Sequence, residues 1–439
     1  MMRSFLFWGV VGGSVYHTSP PLSTCSLPPT AVKSFGHSLI PLFGFRQNYT
    51  NLNHGSYGSP PKVVMDVRRC WLDHVEQCPD AWYRYEMFES MDLVRDKLAK
   101  YINAASKDDV AFVDNASHGV NAVLRSLAPR LQQNPKAKLL FLNIAYQMVK
   151  NTLFFIENVY EEQLFQVNIS FPFPLQHKDS AASFDDHVVA AVTRALSQPG
   201  AEHVKAASFS HISSIPGVIL PVKRLTELCH SHGIRVLIDG AHALGHIPID
   251  VQDINADYYV ANGHKWLYSP KGSAILWVRP DRQEEVYPTT ISYEGQGASN
   301  FQVGFSYQGT QDMTQYMSMA SALEWRSQLP GGDDGVMKYM HDLAVAGGKI
   351  LATSWGTESI VPAENIGAMV NVRIPTTNAT LAQSLPVSLL AQYNTWVPTW
   401  PWPSQDASQP DNWYVRVSAQ VYNEEADFHM LAEAIKSLI

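Results

Sequence analysis

Two short apolar runs constrain this chain more than any other feature. Val236-Leu237-Ile238 leads into Asp239-Gly240-Ala241-His242, and Tyr258-Tyr259-Val260 leads into Asn262-Gly263-His264-Lys265-Trp266-Leu267. Runs of this kind read as strands buried on both faces, in a sheet covered by helices. Such sheets take their ligands beyond the strand ends. Taken singly, an aspartate before a helix is usually a cap, and a lysine after a strand is usually solvated. An acid and an amine at nearby strand ends together suit an aromatic aldehyde. The carboxylate would hold a protonated ring nitrogen, and the lysine would form an imine.

The rest of the composition narrows the class. The 439 residues allow two or three domains, and 46% apolar against 16% charged residues describes a globular chain. A formal net charge of -8 without a long basic run argues against nucleic-acid binding. Cys25, Cys70, Cys78 and Cys229 show no CxxC or metal-ligand spacing, and no disulfide framework is implied at this length. The sixteen histidines form no HExxH, so no metal site is expected. Residues 4–16 look like a short signal-type apolar segment, too short to span a bilayer comfortably, and a Pro/Ser-rich stretch follows to Pro29. We read residues 1–34 as a poorly ordered leader outside the folded body, with a cleaved targeting peptide as the alternative. No membrane span is expected.

Further motifs follow the same strand-then-turn logic. Thr50 to Gly58 is a glycine-punctuated turn opening onto Pro60-Pro61 and a helix, with a break expected near Cys78-Pro79. The strand Val110–Val113 runs into Asp114-Asn115-Ala116-Ser117-His118-Gly119 and a helix start. That arrangement suits an anion, with Ser117 adding a hydroxyl and His118 a backbone amide, although a plain helix cap is the common outcome. Asn262 and His264 flank Lys265 and could reach the same anion. His242 could donate a hydrogen bond to a ring oxygen.

The order Asp-Gly-Ala-His, then Gly-His-Lys, resembles the class V aminotransferase family of fold-type-I enzymes that use pyridoxal 5'-phosphate. The runs Leu52-Asn53-His54-Gly55-Ser56-Tyr57-Gly58, Gly263-His264-Lys265-Trp266-Leu267 and Gly309-Thr310-Gln311-Asp312 look most like its isopenicillin-N-epimerase-like branch. Hercynylcysteine sulfoxide lyases of ergothioneine biosynthesis are similar to that branch. The resemblance covers about Asn51 to the C-terminus. It implies an α/β fold: a large α/β/α domain with a mostly parallel mixed sheet, plus a small C-terminal α+β domain. The expected divisions are an arm at 35–60, the cofactor domain at 61–312, and a long helix with the small domain at 313–439.

The resemblance also implies residue roles. Lys265 carries the cofactor and acts as base, with Asp239 on the ring nitrogen. Tyr146, in Asn143-Ile144-Ala145-Tyr146, would stack on the ring. Ser214 stands where relatives often have asparagine near the phenolic oxygen; serine is shorter, which puts a direct bond in doubt. Gly309 and Thr310 would reach the phosphate of a neighbouring subunit, implying a homodimer with shared sites. Asn53 and His54 lie across the site's mouth, and Arg416 matches the carboxylate-binding arginine. The implied activity runs through an external aldimine of an amino acid, in a cytoplasmic enzyme. No cysteine follows Lys265, which disfavours the persulfide route of cysteine desulfurases. The expected reaction is carbon–sulfur β-elimination. The alternatives are an aminotransferase, an epimerase, and a non-catalytic binding protein on the same fold.

Overall fold

The structure is a computed structural model that describes residues 25–29, 32–131, 134, 136–161, 163–173, 183–292, 301–403 and 408–439. The apolar segment 4–16 lies outside the described residues.

Seven strands form the larger sheet: β1 (Val110–Val113), β2 (Lys138–Leu142), β3 (Gln163–Val167), β4 (Val204–Ser210), β5 (Arg235–Asp239), β6 (Tyr258–Asn262) and β7 (Ala274–Val278). Their spatial order is β1-β7-β6-β5-β4-β2-β3. β7 runs antiparallel to β1 and β6, and the remaining pairs are parallel. The apolar runs are explained by two cores. Val236 and Ile238 of β5 belong to one core, on the side where the helix Val222–Ser231 packs on the strand. Leu237 belongs to the second core, on the face covered by the helix Ala116–Leu131. A strand buried on both sides has no position left for an alternating polar residue. This is the mostly parallel mixed α/β sheet expected from the sequence.

Three further strands form a separate antiparallel sheet, β8 (Met369–Arg373), β9 (Thr399–Trp402) and β10 (Asn412–Ser418), in the order β8-β10-β9. The helix Gly332–Trp355 packs on β8 and on the helix Glu425–Leu438. The preceding helix, Thr314–Ser327, is buried nearly all round and packs on Lys62–Gln77 and Met87–Tyr101. The helical stretch after Lys62 breaks at Cys78 before Pro79, as its proline requires.

The arm joins the two sheets. Leu52 accepts a backbone hydrogen bond from Ser418 of β10 at 2.8 Å. Six residues on, Gly58 has φ +67°, and a Cβ there would collide with the His264 carbonyl. Only glycine allows the arm this close to the turn that carries Lys265.

The N-terminal residues 25–29 are tied down, against the expectation of a poorly ordered leader through residue 34. Cys25 and Leu27 are buried, and Cys25 forms a disulfide with Cys70 in the helix Lys62–Gln77. The two cysteines stand 45 residues apart in sequence, and tertiary packing alone brings their Cα atoms to 5.7 Å. Cysteine spacing gives no sign of such a pair.

Candidate active site

Five strand ends and the arm surround one cavity of about 200 Å³. Asn115 to Ser117 follow β1, Tyr146 follows β2, Ser210 ends β4, Asp239 ends β5, and Asn262 ends β6; Ser56 and Tyr57 close the cavity from the arm.

Lys265 owes its position to a one-turn helix, Gly263–Trp266, directly after β6. The amides of Gly263 and His264 both donate to the Ser273 carbonyl, at 2.9 and 3.2 Å, and bend the chain there. The Lys265 carbonyl is in turn held by His54 Nε2 at 2.8 Å. The lysine side chain lies in the cavity, with Nζ 3.0 Å from His242 Nε2. Burial lowers its pKa to about 7; Asp239 pulls it back upward, and Arg416 adds to the lowering. A substantial neutral fraction at neutral pH is what a nucleophile and base need.

Asp239 is buried at the end of β5, where one oxygen accepts the Ala241 amide at 3.0 Å. Burial raises its pKa, while the Ala241 amide and Lys265 act against the rise. A cationic ring nitrogen beside it would favour the ionised carboxylate. His242 is also buried, and desolvation, followed by the nearby Lys265, holds its pKa far below the usual value. It is therefore a neutral imidazole. His264 lines the cavity with its Nδ1 3.2 Å from the Ser273 carbonyl, and burial lowers its pKa to about 4.

The start of the helix Ala116–Leu131 is organised by two asparagines. Asn262 Oδ1 accepts the Ala116 amide at 2.8 Å, and Asn115 Oδ1 accepts the His118 amide at 3.0 Å. Asn262 thus shapes the helix start, which its position beside Lys265 did not reveal. Ser117 lines the cavity. The His118 ring points elsewhere, with Nε2 2.6 Å from Thr289 Oγ1 and Nδ1 3.4 Å from Asp114. Tyr146 stands immediately before the helix Gln147–Tyr160, half exposed at the cavity mouth.

Arg416 sits in β10 and is buried. Nη1 donates to the Ser214 carbonyl at 2.7 Å and its hydroxyl at 3.2 Å. Nη2 donates to Asn53 Oδ1 at 3.0 Å and Ser56 Oγ at 2.8 Å, while Nε has no partner. All these acceptors are neutral, and no carboxylate pairs with it among the described residues. Burial lowers its pKa to about 10. A buried guanidinium without a counter-ion is costly unless an anion is meant to arrive. Asn53 and Ser214 therefore hold the arginine. The role of Ser56 was missed, although it lay inside a motif already singled out.

One expectation is corrected by placement. His54 does not line the cavity. The short helix His54–Tyr57 turns its ring inward, where Nδ1 meets the Tyr422 hydroxyl at 2.9 Å and Nε2 braces Lys265. Gly309 and Thr310, expected at a neighbouring subunit's phosphate, do not line their own chain's cavity, and Thr310 Oγ1 lies 2.7 Å from the Tyr307 hydroxyl. Among the described residues, no group of three or more His, Cys, Asp or Glu is placed to hold a metal ion, and no helix is long and apolar enough to cross a membrane.

The sequence profile of the aminotransferase class-V family matches residues 180–430. The chain belongs to that family. It is 29% identical over 405 residues to a probable chloroplastic L-cysteine desulfhydrase of Arabidopsis thaliana, over 89% of this chain and 83% of that protein. It is 27% identical over 409 residues to the hercynylcysteine sulfoxide lyase of Schizosaccharomyces pombe, over 92% of this chain and 97% of that protein. A cysteine desulfurase from Escherichia coli shares the fold with a TM-score of 0.71 at 19% identity, over 92% of this chain and 99% of that one.

This class-V protein is a fold-type-I enzyme, and its cofactor is pyridoxal 5'-phosphate. The donor set fits that group. A buried carboxylate, a lysine with a lowered pKa and the start of a helix all line one cavity, with an aromatic ring at its mouth.

Proposed function

We propose that this class-V enzyme removes the Cα proton of a cysteine-derived amino acid and breaks its Cβ–S bond. The observation that carries the amino-acid reading is Arg416, a buried cation beside the cavity whose described partners are all neutral. A substrate carboxylate supplies the missing charge. The names of the desulfhydrase and sulfoxide-lyase relatives support the carbon–sulfur bond as the one broken.

Bound pyridoxal phosphate supplies an electron sink for the charge that develops at Cα. Asp239 would keep its ring nitrogen protonated, and Tyr146, at the cavity mouth, would lie against the ring. Ser117 would take the phosphate together with His264, whereas the His118 amide, expected to join them, is already committed to Asn115 Oδ1. Lys265 would hold the cofactor and, as a free amine, would accept the Cα proton. The sulfur leaves Cβ with the bonding electron pair. One water is consumed overall, giving pyruvate, ammonia and the sulfur fragment without net oxidation. A persulfide route needs a thiolate at the site. The chain has no cysteine after Lys265, and burial raises Cys229 to about 12.

The test is to supply the holoenzyme with L-cysteine, an S-substituted cysteine sulfoxide and L-alanine, without a keto-acid acceptor. At least one of the two sulfur compounds should give pyruvate and ammonia in equal amounts, and alanine none. Pyruvate from neither sulfur compound sinks the lyase reading.

The exposed Thr310 segment supports a homodimer in which each chain completes the other's phosphate site. A native mass of one chain at micromolar concentration would remove that part of the reading. Compartment is tied to the disulfide, because such bonds persist in oxidising compartments and are rare in the cytosol. Cytoplasmic residence therefore requires Cys25 and Cys70 to be reduced in the cell. Alkylation at lysis, followed by mass spectrometry, should then label all four cysteines. Labelling of Cys78 and Cys229 alone contradicts it.

A further inference from the structure

We propose that Trp266 is a positioning residue that fixes which ring nitrogen of His242 carries the proton, so that an N–H is presented at the Lys265 amine. A neutral imidazole has one N–H, and an indole nitrogen can only donate. Trp266 Nε1 lies 3.3 Å from His242 Nδ1. Nδ1 must therefore accept, and the proton must sit on Nε2. That nitrogen is 3.0 Å from Lys265 Nζ. Two N–H donors cannot share this contact, so Nζ must offer its lone pair. The arrangement favours the amine over the ammonium. The lowered pKa of Lys265 agrees with it.

The indole is held from several sides. It is fully buried and stacked on the His246 ring, with centroids 4.0 Å apart, and its carbonyl accepts Arg326 Nη1 at 2.8 Å. His246 is itself fixed. The Ala368 amide donates to its Nε2, so its Nδ1 carries the proton and donates to the His242 carbonyl at 2.7 Å. Gly367 leaves room for this, since a Cβ there would overlap the His246 ring. The chain of contacts runs from the residues entering β8, through His246, to Trp266 and His242, and ends at Lys265. The smaller sheet thus reaches the reactive amine through a fixed pattern of protons. The titratable groups acting on or beside that amine are Asp239, Arg416, His242 and His264.

The proposal rests on Lys265 as the reactive amine but not on the substrate. Its test is made without substrate, so its outcome is independent of the carbon–sulfur reading. The full-length chain is labelled with 15N-histidine and examined by NMR with and without pyridoxal phosphate. Wild-type His242 should show an unprotonated Nδ1 and a protonated Nε2 in the cofactor-free chain. Trp266→Phe keeps a ring but loses the N–H. His242 can then place its proton on Nδ1 and accept from a lysine ammonium. The pKa of Lys265, read from the pH dependence of its labelling in the cofactor-free chain, should rise by roughly half a unit to one unit. His242→Leu provides the control, because an apolar side chain offers Lys265 neither a donor nor an acceptor. Adding Trp266→Phe to His242→Leu should leave the Lys265 titration unmoved.

A proton on Nδ1 of wild-type His242 overturns the proposal, and so does an equal Trp266→Phe shift in the leucine background. The wild-type spectrum decides the matter alone if Trp266→Phe does not fold.

Discussion

Lys265→Ala should give a folded protein that has lost its covalent link to pyridoxal phosphate and roughly 10²–10⁴-fold in turnover. The fold should survive because the backbone at this position is fixed independently of the side chain. The Gly263 and His264 amides bond to Ser273, and the Lys265 carbonyl is held by His54. The side chain's hydrogen bond is to His242, and its burial opposes the charged form, so removing it relieves a cost. Cofactor binding should weaken without vanishing, since the Asp239 carboxylate and the helix start at Ala116 remain. Borohydride treatment followed by peptide mapping reads the outcome. Wild-type protein should carry the reduced cofactor on Lys265, and the variant should carry none. An adduct on the variant at wild-type yield would mean that another lysine holds the cofactor.

Arg416→Lys should weaken substrate binding by roughly 1.5–3 kcal/mol, on the order of ten- to 150-fold, while leaving cofactor occupancy close to wild type. The guanidinium meets Ser214, Asn53 and Ser56 along two of its nitrogens at once. An ammonium cannot reproduce that planar fork, so it would lose neutral acceptors as well as a bidentate grip on the carboxylate. The effect should appear in the dissociation constant of a non-reactive amino-acid analogue, measured spectroscopically on the holoenzyme. An unchanged constant would show that the substrate carboxylate sits elsewhere.

The sequence was most informative where burial leaves a plain mark. β5 and β6 are covered on both faces, so their apolar runs could be read directly, and Asp239 and Lys265 stand at or just beyond their ends. Side-chain direction in short turns was the harder part. The run Asn53-His54-Gly55-Ser56 was rightly drawn to the site, but a single helical turn decides which side chain faces the cavity. Ser56 does, and His54 turns away to brace Lys265. Asn262 shows the same limit. It neighbours Lys265, yet its oxygen is committed to an amide 146 residues away in sequence. The Cys25–Cys70 pair was invisible for a related reason, because its pairing depends on how a distant segment packs. Trp266 stood inside the lysine motif from the start. Its importance depends on the orientation of one indole N–H, which no spacing encodes.

The most direct measurement of the central claim follows the cofactor through many turnovers. Holoenzyme mixed with excess cysteine sulfoxide, with no keto acid present, should release many equivalents of pyruvate per active site, and the bound cofactor should remain in its aldehyde form throughout. One equivalent of keto acid, with the cofactor converted stoichiometrically to pyridoxamine phosphate, would contradict the lyase account and make the enzyme an aminotransferase.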